Sequence, residues 1–152
     1  MRRNEKAMTT ETEIMEVIRR AEVCRLGLSD EGQPYIVPMN FGYADGALYL
    51  HAAPQGRKLE IVRKNNRVCV EFEADAEVVP GEKACNWTMR YQSVIAVGEA
   101  FLIEDTEEKL AALRVIMDHY TEGEYEFAEK AVARTLVIKV VIKSMSGKKS
   151  GY

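Results

Sequence analysis

Positions 33–58, QPYIVPMNFGYADGALYLHAAPQGRK, restrict the fold of this chain more than any other stretch. Tyr35, Val37, Met39, Phe41 and Tyr43 fall on one face of an extended segment, and Ile36, Pro38, Asn40 and Gly42 on the other. Asp45-Gly46 supplies the positive-φ pair that a two-residue hairpin needs, and residues 47–52 return as a second strand. Proline has no N–H to give to a ladder, so Pro38 places the first strand at a sheet edge, at a bulge or where pairing stops. An interrupted edge keeps backbone groups free for a ligand.

The hairpin runs into Gln55-Gly56-Arg57-Lys58-Leu59-Glu60-Ile61-Val62-Arg63, where Leu59 and Val62 sit one turn apart and a helix begins near Gly56. A helix start presents unpaired N–H groups and the positive end of the dipole, and Arg57 and Lys58 add two cations there, which makes a seat for a phosphate. The dipole is worth only ~0.3–1 kcal/mol per charge at an exposed end. The side chains therefore supply most of the selectivity, Arg57 through bidentate contact. Gly-Arg-Lys also reads as an ordinary solvated helix start, and spacing leaves both readings open.

The 152 residues suit a single domain, which at this size buries about 68–70% of its unfolded surface and needs no staples. A net charge of -3 without a basic stripe gives no footprint for nucleic acid. Cys24, Cys69 and Cys85 form no CxxC pair, and there is neither a signal peptide nor a long apolar run. The expectation is a cytoplasmic protein with no membrane segment. Cys24 and Cys85 read as small core hydrophobes. No HExxH, P-loop or GxGxxG occurs, and no metal site is expected.

Elsewhere, residues 1–9 read as a loose arm, and Thr10 with Glu13 caps an amphipathic helix carrying Ile14, Val17, Ile18 and Ala21. Residues 23–29 form a strand with Cys24, Leu26 and Leu28 inward. Residues 67–73 form another, whose second face (Arg67, Cys69, Glu71, Glu73) meets solvent or a partner. Residues 74–83, with Pro80-Gly81, read as a mobile connection. Residues 85–91 and 93–104 read as two strands interrupted near Gln92, with Trp87 packed in the usual way and Gly98 marking a bend or bulge. Asp105 and Glu108 open a helix whose stripe is Leu110, Leu113, Met117 and Tyr120, with His119 on its surface, and a short helix follows around residues 127–132. Residues 135–143 form the last strand, and 144–152 a flexible tail. Hairpins join most strands, and the chain does not supply the helix after every strand that a parallel fold needs, so the expected fold is mainly β with α: an antiparallel split β-barrel with flanking helices.

The run PYIVPMNFGYADGALYLHAAPQGRK, followed by NWTMRYQSVIAVGEA, resembles the pyridoxamine 5′-phosphate oxidase-related flavoproteins, and within them the nitroimidazole-resistance (Nim-type) group. The resemblance covers most of the chain. It implies an FMN-binding split barrel working as a homodimer, with FMN at the subunit interface. On that footing the phosphate falls to Gly56, Arg57 and Lys58, and the ring edge to the backbone of Val37, Pro38, Met39 and Asn40. His51 and Ala52 flank the cofactor, and Ser93 reaches the flavin or its phosphate region from across the barrel. His51 is the candidate for catalytic proton movement, since histidine titrates near neutrality; filling a strand end is the alternative role. The implied activity is FMN-dependent reduction of a small acceptor, nitroaromatics included. A flavin- or haem-binding module without turnover is the alternative, and pyridoxamine 5′-phosphate oxidation a third reading.

Overall fold

The computed structural model describes residues 4–152. Helix α1 (Glu11–Arg20) opens on the capping box: the Glu13 N–H donates to the Thr10 hydroxyl at 3.2 Å, and the Glu13 carboxylate reaches back to the Thr10 N–H at 3.3 Å. Val17, Ile18 and Ala21 are buried on one side of it. Strands β1 (Cys24–Asp30) and β2 (Gln33–Met39) turn at Glu31-Gly32, and β3 (Gly42–Ala44) and β4 (Ala47–Ala52) turn at Asp45-Gly46, where φ is 50° and 75°. Then come α2 (Arg57–Lys64), β5 (Arg67–Val79), β6 (Thr88–Ile103), α3 (Thr106–Tyr120), α4 (Glu129–Ala133) and β7 (Leu136–Ser150).

Among the described residues seven strands form one sheet in the order β2-β1-β5-β6-β7-β4-β3, with every pairing antiparallel. The two outer strands, β2 and β3, are joined only by Asn40 and Phe41. A flat sheet of this order would hold them about 29 Å apart at ~4.8 Å per strand, while the link reaches about 11 Å. The sheet must therefore roll up, with its edges joined by chain and not by a ladder. That is a split barrel, as the sequence resemblance implied.

Leu26, Phe41, Leu48, Leu50, Val70, Phe72, Val94 and Ile138 fill the interior, and α2 adds Leu59, Ile61 and Val62 to the same core. Helix α3 packs so closely on β3 that a Cβ at Gly42 would sit 2.3 Å from the Val115 carbonyl oxygen. The expected irregularity at Gly98 is a bulge between β6 and β7, where a Cβ would meet the Val141 carbonyl oxygen at 2.3 Å.

Several expectations change. The arm is docked: Ala7 bridges Lys148, Met8 is buried, and its N–H donates to the Gly147 oxygen at 3.1 Å; residues 1–3 lie outside the described range. The tail is not loose, because β7 continues to Ser150 against β6. β6 is continuous through Gln92, and most of the expected connection 74–83 belongs to a ribbon of β5 and β6 that extends past a bulge at Ala74/Glu77. On it Trp87 is 55% exposed and Cys85 is exposed, so neither is core. In α3 the buried line is Lys109, Ala112 and Ile116, offset from the expected stripe. Lys109 is tolerated there because its ammonium donates to the Val132 and Thr135 carbonyls. His119 is half-buried, with Nε2 2.8 Å from the Ala21 oxygen. No helix among the described residues is long and apolar enough to cross a membrane.

Candidate functional site

The helix start expected at Gly56-Arg57-Lys58 is present. Gly56 precedes α2 with φ of 134°, a conformation that suits glycine, and no side chain caps the helix start. The Arg57 guanidinium lies over the Tyr35 ring, 4.6 Å from its centroid, and 3.9 Å from Asp30 Oδ2. Asp30 is shared with Lys64 at 3.8 Å. Lys58 has no ion-pair partner among the described residues. An uncapped helix start with one oriented guanidinium and one unneutralised ammonium is a donor set that fits a phosphate.

Residues 37–40 lie on the open edge of the barrel, because β2 pairs with β1 alone. Pro34 and Pro38 stand opposite Ser29 and Arg25. Neither proline can donate, so these are the alternate positions whose backbone groups point away from β1. The open edge thus presents backbone groups of Ile36 and Pro38, while Val37 and Met39 turn their side chains toward the core. Asn40 follows the strand and is exposed.

His51 and Ala52 end β4 opposite Val137 and Leu136. Ala52 is buried, whereas His51 is exposed and has no hydrogen-bond or ion-pair partner among the described residues. Of the thiols, Cys24 is pushed up to about 12 by burial and is no nucleophile.

Within one chain Ser93 is level with the end of β2 near Met39 but far along the sheet from His51. It lies on the outer face of β6 between Glu73 and Lys148, whereas His51 is level with Val137 and Ile103. The ten residues from Ser93 to Ile103 span about 33 Å at ~3.3 Å per residue. β6 continues past its bulge at Gly98 and carries Ser93 well away from the level of His51. Tyr91 and Lys148, which the site residues chosen from sequence omit, sit beside Ser93, with the Lys148 ammonium donating to the Tyr91 hydroxyl at 2.6 Å. The signal for Lys148 was the alternation of Ser144, Ser146 and Lys148 with Met145 and Gly147, which continues the period of β7.

A rolled antiparallel sheet with an open edge, and a cationic helix start beside it, defines a split-barrel protein. The sequence profile described as pyridoxamine 5′-phosphate oxidase matches residues 10–149, and the chain belongs to that family. Among solved structures it is similar to a candidate 5-nitroimidazole antibiotic resistance protein from Bacteroides thetaiotaomicron, at 40% identity and a TM-score of 0.84 over 94% of this chain and 86% of that one. The flavocytochrome Anf3 from Azotobacter vinelandii matches at 21% identity and a TM-score of 0.86, over 100% of this chain and 72% of that one. The FAD- and haem-binding protein from Mycobacterium smegmatis matches at 21% and 0.85, over 97% and 74%. At that identity the last two share the fold. No curated protein matches the sequence.

Proposed function

We propose that this protein is an FMN-dependent oxidoreductase that reduces a small acceptor, nitroaromatic compounds among them, and that it works as a homodimer with FMN held between subunits. The observation that carries this reading is the division of the candidate site. Gly56, Arg57, Lys58 and His51 lie toward one end of the barrel and Ser93 at the other, so one chain offers two half-sites. A two-fold axis across the outer face would set the Ser93 end of one copy against the Arg57 end of its partner.

The surface supports that arrangement. Ile36 (65% exposed), Cys69, Ile95 and Val97 (47%) form a patch across β2, β5 and β6, with Gly27 between Ile36 and Cys69. A compact 17.2 kDa monomer exposes about 7,800 Å², but this chain exposes 9720 Å². The excess, about 1,900 Å² on one chain, exceeds the roughly 800 Å² per partner that a standard interface covers and falls in the range of obligate homodimers, about 1,000–2,500 Å² per partner.

FMN, when bound, takes up electrons from a donor and passes them to the acceptor. The chain's part is to hold the phosphate with Arg57 and Lys58, to meet the ring with the β2 edge, and to move a proton at His51, whose exposed ring faces solvent. The relative's name supports a nitroimidazole as acceptor. The test is an absorption spectrum of the protein as purified, identification of what denaturation releases, and sedimentation of the same sample. Released FMN, a two-chain mass, and oxidation of NADH or NADPH that depends on a nitroimidazole are the expected results. A haem spectrum, or a colourless monomer that cannot be reconstituted with FMN, overturns the reading.

A further inference from the structure

We propose that Lys148, held by Tyr91, is a cation that faces the flavin ring and favours its reduced form; this rests on the FMN reading above. Lys148 reaches its place through the packing of its whole strand. Gly147 presses inward, where a Cβ would lie 2.5 Å from the Met8 sulfur and 3.0 Å from Ile14 Cγ1. Just beyond, the strand is tied down: Lys149 pairs with Glu13, and the Lys6 ammonium donates to the Ser150 hydroxyl at 2.8 Å. With Gly147 inward and the register set, Lys148 has to project from the outer face next to Ser93.

Its charge is left uncompensated there. Lys143 and Lys149 of the same strand pair with Glu99 and Glu13, but Lys148 has no carboxylate partner among the described residues. Glu73 is near in sequence of strands, yet Ser93 stands between them, two strand spacings of about 4.8 Å each. The Tyr91 hydroxyl accepts the Lys148 hydrogen bond and fixes the direction of the ammonium without neutralising it. A half-buried cation on neutral support favours a ligand group that carries or gains negative charge.

FMN has two such groups, the phosphate and the ring on reduction. The phosphate has its own seat at Arg57 and Lys58, and Ser93 with Lys148 belongs to the other half-site. Lys148 therefore falls to the ring, where a nearby positive charge raises the affinity for the reduced over the oxidised flavin.

The experiment measures the reduction potential of bound flavin, together with dissociation constants for oxidised FMN and riboflavin, in wild type, K148M, K148R and Y91F, with near-UV circular dichroism to confirm folding. Lys148→Met should reduce the preference for reduced flavin about tenfold, which for a two-electron couple lowers the potential by about 30 mV. Lys148→Arg should restore it and Tyr91→Phe should give a smaller loss, with oxidised FMN bound as tightly as by wild type. An unchanged potential in K148M overturns the proposal. So does a loss of FMN affinity with riboflavin affinity kept, because that places Lys148 on the phosphate and leaves the FMN reading standing. Failure of wild type to bind either flavin removes both.

Discussion

The Tyr120 hydroxyl accepts the Phe41 N–H at 3.1 Å and donates to the Glu22 carbonyl at 2.9 Å. One side chain at the end of α3 thus holds the two-residue link that joins the barrel edges and the segment leading into β1. Phe41, fully buried and edge-on to Phe72 at 5.0 Å, leaves that N–H no other partner in the core. Tyr120→Phe should cost about 1–3 kcal/mol, the range for stranding a buried polar group. Urea denaturation would measure it, and a variant as stable as wild type would show that water replaces the hydroxyl.

Removing both cations of the phosphate seat separates binding from catalysis. R57A/K58A should weaken FMN binding by more than tenfold, since charge-assisted contacts contribute roughly 1.5–3 kcal/mol each. His51→Ala should leave FMN binding intact and slow acceptor reduction. Flavin fluorescence titration beside steady-state kinetics reads both, and loss of flavin from H51A would make His51 a binding residue.

The pair that fixes the tail has a pH signature. Lys149, with the Thr9 and Thr10 N–H groups, lowers the Glu13 carboxyl from 4.5 to about 2. A folded pKa below the unfolded one stabilises the fold above the unfolded value, and that contribution disappears as pH falls through the folded value. Wild type should be more stable than Glu13→Gln at pH 7, with the difference shrinking below about 4.5 and gone near 2. Thermal melts across this range, at low salt because the pair is exposed, would show it. A constant difference would mean that the pair contributes nothing through ionisation.

Thiol chemistry reports on the outer face. Cys69 and Cys85 are exposed in the chain and Cys24 is not. In the proposed dimer Cys69 lies inside the covered patch, so native protein should show one rapidly reacting thiol, Cys85, and a C85S variant almost none. Two rapid thiols in the wild type at concentrations where the mass is that of a dimer would place the interface elsewhere.

Local chemistry made much of this fold legible. The Thr10 and Asp105 caps, the Asp45-Gly46 turn, the break at Asn65 and the inward faces of β1, β2, β5 and β7 all depend on residues within a turn or two of each other. The Gly-Arg-Lys helix start was readable for the same reason. The errors have a common source. Strand periodicity is visible in sequence where apolar residues mark it, and the serines and lysines of 144–150 and the polar Gln92 carry no such mark.

By itself the sequence determined the faces of the strands, the turns between them, the family, and the cation pair at Arg57-Lys58. Only the tertiary structure decided that β2 and β3 stand at opposite edges of one rolled sheet, that Ser93 is far from His51 on a single chain, and that Lys148 lies beside Ser93. The physical reason is that alternation tells each residue which side of a sheet it faces but not which strand lies next to it. That choice is made by packing between distant segments, as when Gly147 fits against Met8 and Ile14 and brings the next residue, Lys148, to the outer face.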